Sequence, residues 1–343
     1  MKFVDRTFNC KHEHSLAIWR YISEHDKGIT NFHFEVAADL LNEEELELLS
    51  TLRPGLIQLE IGIQSTNPKT IEEIHRVMDF EKVSNIVERI KLGNNIHQHL
   101  DLIAGLPYEN YERFGESFCD VYALKPAQLQ LGFLKVLKGS YMEEKLQDYE
   151  IAHQTRPPFE VLKTKWLSYE DVMRLKGVEE MVEVYYNSGQ FEHTIAELEH
   201  AFATSFEMFE ALADYYETNG LNLKNHSRVA RYEILLDFVK QYDPEKVEYY
   251  RELLTYDLYL RENMKNRPEF AGENRVTKEE NRLFYEQEHV ERRYLKGYEQ
   301  FDKNQLRKMT HLEKVGGKMI LFDYRHRNPL NHQAKTTTVS VGK

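Results

Sequence analysis

In the first third of this chain, polar residues interrupt a series of apolar, strand-like runs, and together they mark a candidate polar site. Glu35 lies in Phe32-His33-Phe34-Glu35-Val36. Glu60, Gly62, Gln64 and Ser65 lie in Leu59-Glu60-Ile61-Gly62-Ile63-Gln64-Ser65. Arg76 follows on the next helical stretch, and Asp101 opens Asp101-Leu102-Ile103-Ala104-Gly105-Leu106-Pro107. An acid inside a buried strand is costly without a partner, so Asp101 is expected to be paired or functional. Parallel strands buried on both faces normally read as unbroken apolar runs. Polar intrusions near the ends of consecutive strands therefore point to a polar site at their C-terminal ends, where α/β barrels build active sites.

His97, His99 and Asp101 alternate along one strand and so share a face. His-x-His on a barrel strand is also how metal-dependent hydrolases hold zinc. The other usual ligands do not follow at later strand ends, so no metal is assigned, and the simpler expectation is a hydrogen-bonded pair near the start of the strand. Cys10-Lys11-His12-Glu13-His14 has ligand chemistry but reads as the start of a solvated helix. Glu43–Glu47 reads as a solvated first turn. Tyr185-Tyr186, Tyr215-Tyr216 and Tyr249-Tyr250 fall at helical positions and read as core, and Trp166 as an anchor at a domain seam.

The elements that position these residues alternate in type over 1–138. Strands are expected at Lys2–Thr7, Asn31–Val36, Leu56–Ile63, Ile96–Ile103 and Gln128–Val136, each followed by a helix. Such a pattern demands a parallel sheet with helical crossovers. Helix starts are marked by Asn42 before three glutamates and by Asn67-Pro68. Residues 139–158, with Thr155-Arg156-Pro157-Pro158, read as a linker. Residues 159–323 read as mostly helical (Lys165–Tyr186, Thr194–Asn219, Ser227–Gln241, Asp243–Glu262) with one late strand at Gly316–Asp323. Residues 324–343 read as a flexible tail.

Composition narrows the class. Hydrophobic residues make up 41% of the 343 and charged residues 30%, which supports a packed core. The net charge of −12 argues against a general nucleic-acid surface. The basic residues after Lys318 read as a solvated tail. No run reaches the ~20 apolar residues of a membrane helix, and no secretory signal is legible. Two cysteines, Cys10 and Cys119, make no disulfide framework and point to a reducing cytoplasm.

Taken in order, Glu35, Gly62-Ile63-Gln64-Ser65, Ile74-His75-Arg76 and Asp101–Pro107 resemble the second half of a radical S-adenosylmethionine (radical SAM) barrel. They are similar to the branch that includes the oxygen-independent coproporphyrinogen oxidases and the methylthiotransferases. Asp5-Arg6-Thr7-Phe8-Asn9 resembles the second-strand loop of cobalamin-dependent radical SAM proteins. Lys165-Trp166-Leu167-Ser168-Tyr169-Glu170 with Val182–Gly189 resembles the helical domain of unknown function that follows their barrel. The resemblance implies an α/β fold, a partial (β/α)6 radical SAM-type barrel lacking its first βα unit and followed by an α-helical domain. It implies S-adenosylmethionine contacts at Glu35, Gln64, Ser65, Arg76, Asp101, Ala104 and Gly105, with [4Fe-4S] and cobalamin in the parent enzyme. The family's Cys-x3-Cys-x2-Cys triplet, which holds the cluster by thiolate ligation, is missing from the sequence. The expectation is thus a fragment or truncated form of a cobalamin-binding radical SAM enzyme, inactive alone, with a bare edge at Phe3–Thr7. A missing N-terminal segment or separate chain would carry the cluster, and the substrate and catalytic residues stay unassigned. The alternatives are a non-catalytic SAM-binding or assembly module and a zinc-dependent barrel hydrolase using His97, His99 and Asp101.

Overall fold

The computed structural model describes residues 1–340. They form two compact units, one of residues 1–187 and 204–214, the other of residues 188–203 and the chain from Tyr215 onward.

The first unit is α/β. Its elements run α1 (His12–Glu24), β1 (Phe32–Val36), α2 (Glu43–Thr51), β2 (Ile57–Gln64), α3 (Pro68–Glu73), α4 (Phe80–Leu92), β3 (His97–Ala104), α5 (Tyr111–Ala123) and β4 (Gln128–Phe133). The four strands are parallel, in the order β1-β2-β3-β4. Local chemistry sets the helix starts. Asn42 and Glu45 form a reciprocal capping box, Asn67 caps α3 with Pro68 in its first turn, and Asn110 caps α5. Phe34, Leu59, Ile61, Ile63, Leu100, Leu102, Leu129 and Leu131 alternate onto one sheet face and are buried. Each such side chain removed from water contributes roughly 1.5–3 kcal/mol.

Five parallel strands were expected; the first is reduced to a single parallel bridge, Lys2 to His33. Phe3 donates its N–H to the His33 carbonyl, while its ring stacks on Phe34 with centroids 4.4 Å apart. Val4 is 91% exposed. With Asp5-Arg6 following, only Phe3 has an apolar face to bury, so the strand stops there. At the other edge, the Asn187 side chain accepts from Leu129 N–H at 2.9 Å and donates to its carbonyl at 2.8 Å, substituting for a neighbouring strand.

Residues 139–158, expected to be a linker, are structured parts of this unit. They include α6 (Tyr141–Glu144) and β5 (Ala152–His153), which pairs antiparallel with β6 (Val161–Lys163). Next comes α7 (Tyr169–Met181), capped by Ser168 and continued by a π-helical turn over Val182–Asn187.

In the second unit, α8 (Glu192–Leu198) is separated from α9 (Ser205–Thr218) by a break where one long helix was expected; residues 205–214 of α9 belong to the first unit. After these come α10 (Arg228–Tyr242), α11 (Val247–Arg261), α12 (Lys278–Glu291) and α13 (Lys303–Met309). The expected lone late strand is in fact the middle of an antiparallel sheet of β7 (Thr310–Val315), β8 (Lys318–Arg327) and β9 (Ala334–Val339). Gly316 and Gly317, both at positive φ (58° and 71°), make the tight β7–β8 turn. The expected flexible tail from 324 is thereby strand through Arg327 and again over Ala334–Val339, with Phe322 and Ala334 in one apolar cluster. Residues 341–343 lie outside the described residues. Among the described residues no helix is long and apolar enough to cross a membrane.

Candidate functional site

The sheet of the first unit has one apolar face and one polar face. Strand register lines the polar side chains up in rows. His33, Gln58 and His97 form the row nearest the N-terminal ends. Glu35, Glu60, His99 and Gln128 form the next, and Gly62, Asp101 and Gln130 the one above. Sequence reading caught Glu35, Glu60, Gly62 and Asp101 in these rows but treated them as intrusions near strand ends. The period-2 alternation read at His97, His99 and Asp101 in β3 extends across the sheet, as Gln-x-Glu-x-Gly-x-Gln in β2, Gln-x-Gln-x-Gly in β4 and His-x-Glu in β1.

The upper row is organised around Gly62. A Cβ added there would lie 2.5 Å from Gln64 Nε2, 3.5 Å from Arg76 Nη2 and 3.6 Å from Asp101 Oδ2. The missing side chain thus lets an amide, a guanidinium and a carboxyl group converge over the Gly62 backbone, with the Gln64 amide taking the place a side chain would occupy. Arg76 donates to the Gly62 carbonyl at 2.5 Å, which aims the guanidinium along the face. Gln64 has φ of +71° at a register shift between β2 and β3, an unfavourable backbone setting for a residue with a side chain. Bulges and strained residues of this kind re-aim side chains at functional sites.

The face is electrostatically unbalanced. Burial, then the nearby Glu60 and Glu35 carboxylates, push Asp101 up to about 7, against the pull of Arg76 and Lys2. Glu35 is also raised, by burial and by Glu60. Burial acts on Glu60 in the same direction, but Lys2, donating at 2.9 Å, outweighs it and holds this carboxyl below its ordinary value. Burial lowers both His97 and His99. Asp101 Oδ1 and His99 Nε2 are buried without a hydrogen-bond partner; their separation of 3.7 Å is too long for a bond to each other.

Glu35, Gln64, Arg76 and Asp101 are therefore brought to one face. Ser65 and Gly105 point their chemistry elsewhere. Ser65 is fully buried and donates to Glu109 Oε1 at 2.6 Å; Glu109 also accepts from Ser117 at 2.8 Å. The Ala104 carbonyl accepts from Leu134 N–H, and the open side of Gly105 is filled by Val161, whose Cγ1 would lie 2.8 Å from an added Cβ. Asn9, in the Asp5–Asn9 segment, is buried and exchanges two side-chain bonds with the Ala37 backbone. Trp166 packs on Tyr108 and Tyr149 within the first unit.

The metal readings are corrected. Among the described residues no three His, Cys, Asp or Glu side chains converge in a way that could hold an ion, so His97, His99 and Asp101 do not form a zinc site. His12 bonds instead to the buried Glu45. Cys10 and Cys119 are free thiols.

Comparison with known proteins gives one family match. Residues 147–339, more than half of the chain, match the family described as Protein of unknown function (DUF4080). The match begins after β4, so it does not include the polar sheet face. No curated protein matches. Among solved structures, the radical S-adenosylmethionine methyltransferase TsrM from Kitasatospora setae, with tryptophan substrate and a SAM analogue bound, is similar at 16% identity and a TM-score of 0.33, over 38% of this chain and 26% of that one. The same enzyme with cobalamin and a [4Fe-4S] cluster bound gives 15% identity and a TM-score of 0.38, over 49% and 34%. Coproporphyrinogen III oxidase (HemN) from Escherichia coli, a radical SAM enzyme, gives 16% and 0.38, over 52% and 38%. The chain thus spans between 26% and 38% of the length of these proteins.

Proposed function

We propose that this chain, which belongs to the DUF4080 family of proteins of unknown function, binds S-adenosylmethionine on the polar face of its parallel sheet. The observation that carries the reading is the convergence of Gln64, Arg76 and Asp101 over Gly62, with Glu35 one strand away. These are also the residues that carry the resemblance to radical SAM proteins.

The donor set fits the ligand. Arg76 suits the methionine carboxylate, Glu35 and Asp101 suit a ribose diol or the ammonium, and Gln64 suits either a donor or an acceptor edge. The Asp101 carboxyl, which burial pushes up to about 7, is drawn toward its anionic form when a cationic ligand adds positive charge to the face. S-adenosylmethionine, when bound, supplies an electrophilic methyl group or, on one-electron reduction, a deoxyadenosyl radical. The residues of this chain bind it, orient it and hold its charge.

The [4Fe-4S] cluster does not fit this chain. Cys10 is exposed beside α1 and Cys119 lies on α5, where its sulfur accepts from Ser205 at 3.6 Å. No step of a reaction is assigned to a cluster here. Radical chemistry would need a cluster-bearing segment or partner chain; without one, the chain is a SAM-binding module. The finer cobalamin assignment rests on the Asp5–Asn9 resemblance alone, and Asn9 in that segment serves the fold.

Equilibrium dialysis of the purified chain against radiolabelled S-adenosylmethionine tests the reading. One saturable site per chain, lost in Arg76→Ala, is expected. No retention at millimolar ligand would overturn it.

A further inference from the structure

We propose that the left-handed turn at His75 is the device that delivers Arg76 to the polar sheet face, which makes His75 a positioning residue for the ligand site. The inference rests on the S-adenosylmethionine reading for what Arg76 holds, and on the turn alone for how Arg76 is held.

The chain leaves α3 through a defined stop. Ile74 closes the helix, the His75 N–H donates to the Glu72 carbonyl and the Arg76 N–H to the Ile71 carbonyl, each at 3.0 Å. This two-bond arrangement normally has glycine in the left-handed position and an apolar residue after it, packed back on the last turn. Neither is present here. His75 takes a φ of +55°, and the residue after it is Arg76. Arg76 sends its guanidinium to the Gly62 carbonyl on β2. Its neighbours on both sides, His75 and Val77, are exposed, Val77 at 95%. Of these three residues, Arg76 alone turns inward.

A left-handed backbone is unfavourable for a residue with a side chain, although His accepts it more readily than most. At this position the ring is also given a partner. It packs on Tyr141, the first residue of α6, with centroids 4.6 Å apart. Tyr141 in turn donates to Glu73 Oε1 at 2.8 Å, and Tyr149 donates to the same oxygen. The last residue of α3 and the residue two beyond it are thereby tied to one pair of tyrosines on the segment after β4. A plain helix stop needs no such bracing, because glycine would make it unaided. The bracing fixes the direction in which residue 76 leaves the helix. Backbone strain of this kind collects where a binding geometry must be held.

The test separates the turn from the ring. His75→Gly removes the imidazole and adopts the left-handed backbone freely, whereas His75→Val adopts it only under strain. An unfolding curve for each variant checks that the first unit is intact. His75→Gly is expected to retain radiolabelled S-adenosylmethionine within about twofold of the parent. His75→Val should bind it at least about tenfold more weakly. Where the valine variant does not fold, His75→Ala replaces it, with an expected loss of about threefold. A glycine variant as weak as the valine variant would overturn the proposal, because the imidazole would then act on the ligand itself. A valine variant that binds like the parent would overturn it as well. A second readout needs no ligand. The guanidinium Nη–H resonances of Arg76, assigned by their loss in Arg76→Lys, should be resolved in the parent and in His75→Gly and averaged in His75→Val. Resolved signals in the valine variant would count against the turn. Arg76 signals that follow the turn in a chain that retains no S-adenosylmethionine would refute the ligand reading and leave the positioning role standing.

Discussion

Replacing Asp101 with Asn should stabilise the first unit at pH 8 while weakening its ligand affinity. In the folded chain this carboxyl titrates at about 7, against an ordinary value of 3.8, a gap of roughly three units. At 1.36 kcal/mol per unit, that corresponds to up to ~4 kcal/mol. The folded state holds the proton more tightly than the unfolded chain, so the favourable contribution is complete below pH 3.8 and is lost as pH rises toward about 7. Asn keeps the shape of the protonated acid and cannot ionise. Asp101→Asn is therefore expected to match the parent near pH 4 and to exceed it by about 2–4 kcal/mol at pH 8, where the parent carries the poorly paired anion. The assay is denaturant unfolding followed by tryptophan fluorescence. Both tryptophans, Trp19 and Trp166, lie in the first unit, so the signal reports that unit alone. The same variant should bind S-adenosylmethionine about tenfold or more weakly, the scale of a lost charged hydrogen bond. A variant less stable than the parent at pH 8 would refute the reasoning, because Asp101 would then be a satisfied structural acid.

Three further outcomes are expected. Gly62→Ala should fold normally, since its backbone is ordinary strand, yet lose ligand binding at least tenfold because the new methyl meets Gln64 Nε2 at 2.5 Å; calorimetric titration together with an unfolding curve checks both halves. Glu109→Ala should cost about 2–4 kcal/mol by stranding the Ser65 and Ser117 hydroxyls, whereas Glu109→Gln, which keeps an acceptor, should cost about 1 kcal/mol or less, measured by the same fluorescence assay. Anaerobic treatment with iron and sulfide should leave the chain without a stoichiometric cluster; about four irons per chain would contradict the misfit of its two cysteines.

Much of the first unit is legible because its signals are local. Asn42-Glu43-Glu44-Glu45, Asn67-Pro68 and the strand runs up to Gln128 mark starts and stops that the structure keeps within a few residues. Lys2–Thr7 misled because the apolar start looks like a strand, while only Phe3 finds a partner. The C-terminal sheet was underread because its signal is a turn. Val315-Gly316-Gly317-Lys318 joins two strands as a tight hairpin, and β9 is Thr-rich and only partly buried, so it lacks an apolar stripe. The helices from Lys278 and Lys303 carry capping boxes at Thr277 and Asp302 that sequence inspection could have used. For the candidate site, polar residue types together with the family resemblance singled out Glu35, Gln64, Arg76 and Asp101. Their meeting at Gly62, the diversion of Ser65 to Glu109 and the filling of the Gly105 side by Val161 depend on strand register and on contacts between distant segments, which no local pattern encodes.

A crystal structure of the intact chain grown with S-adenosylmethionine tests the central claim most directly. The account predicts the ligand on the polar sheet face, with its methionine carboxylate on Arg76 and its other polar groups against Gln64 and Asp101. Ligand bound elsewhere, for instance among Arg251, Arg267 and Lys314 in the second unit, with none on the polar sheet face, would contradict it.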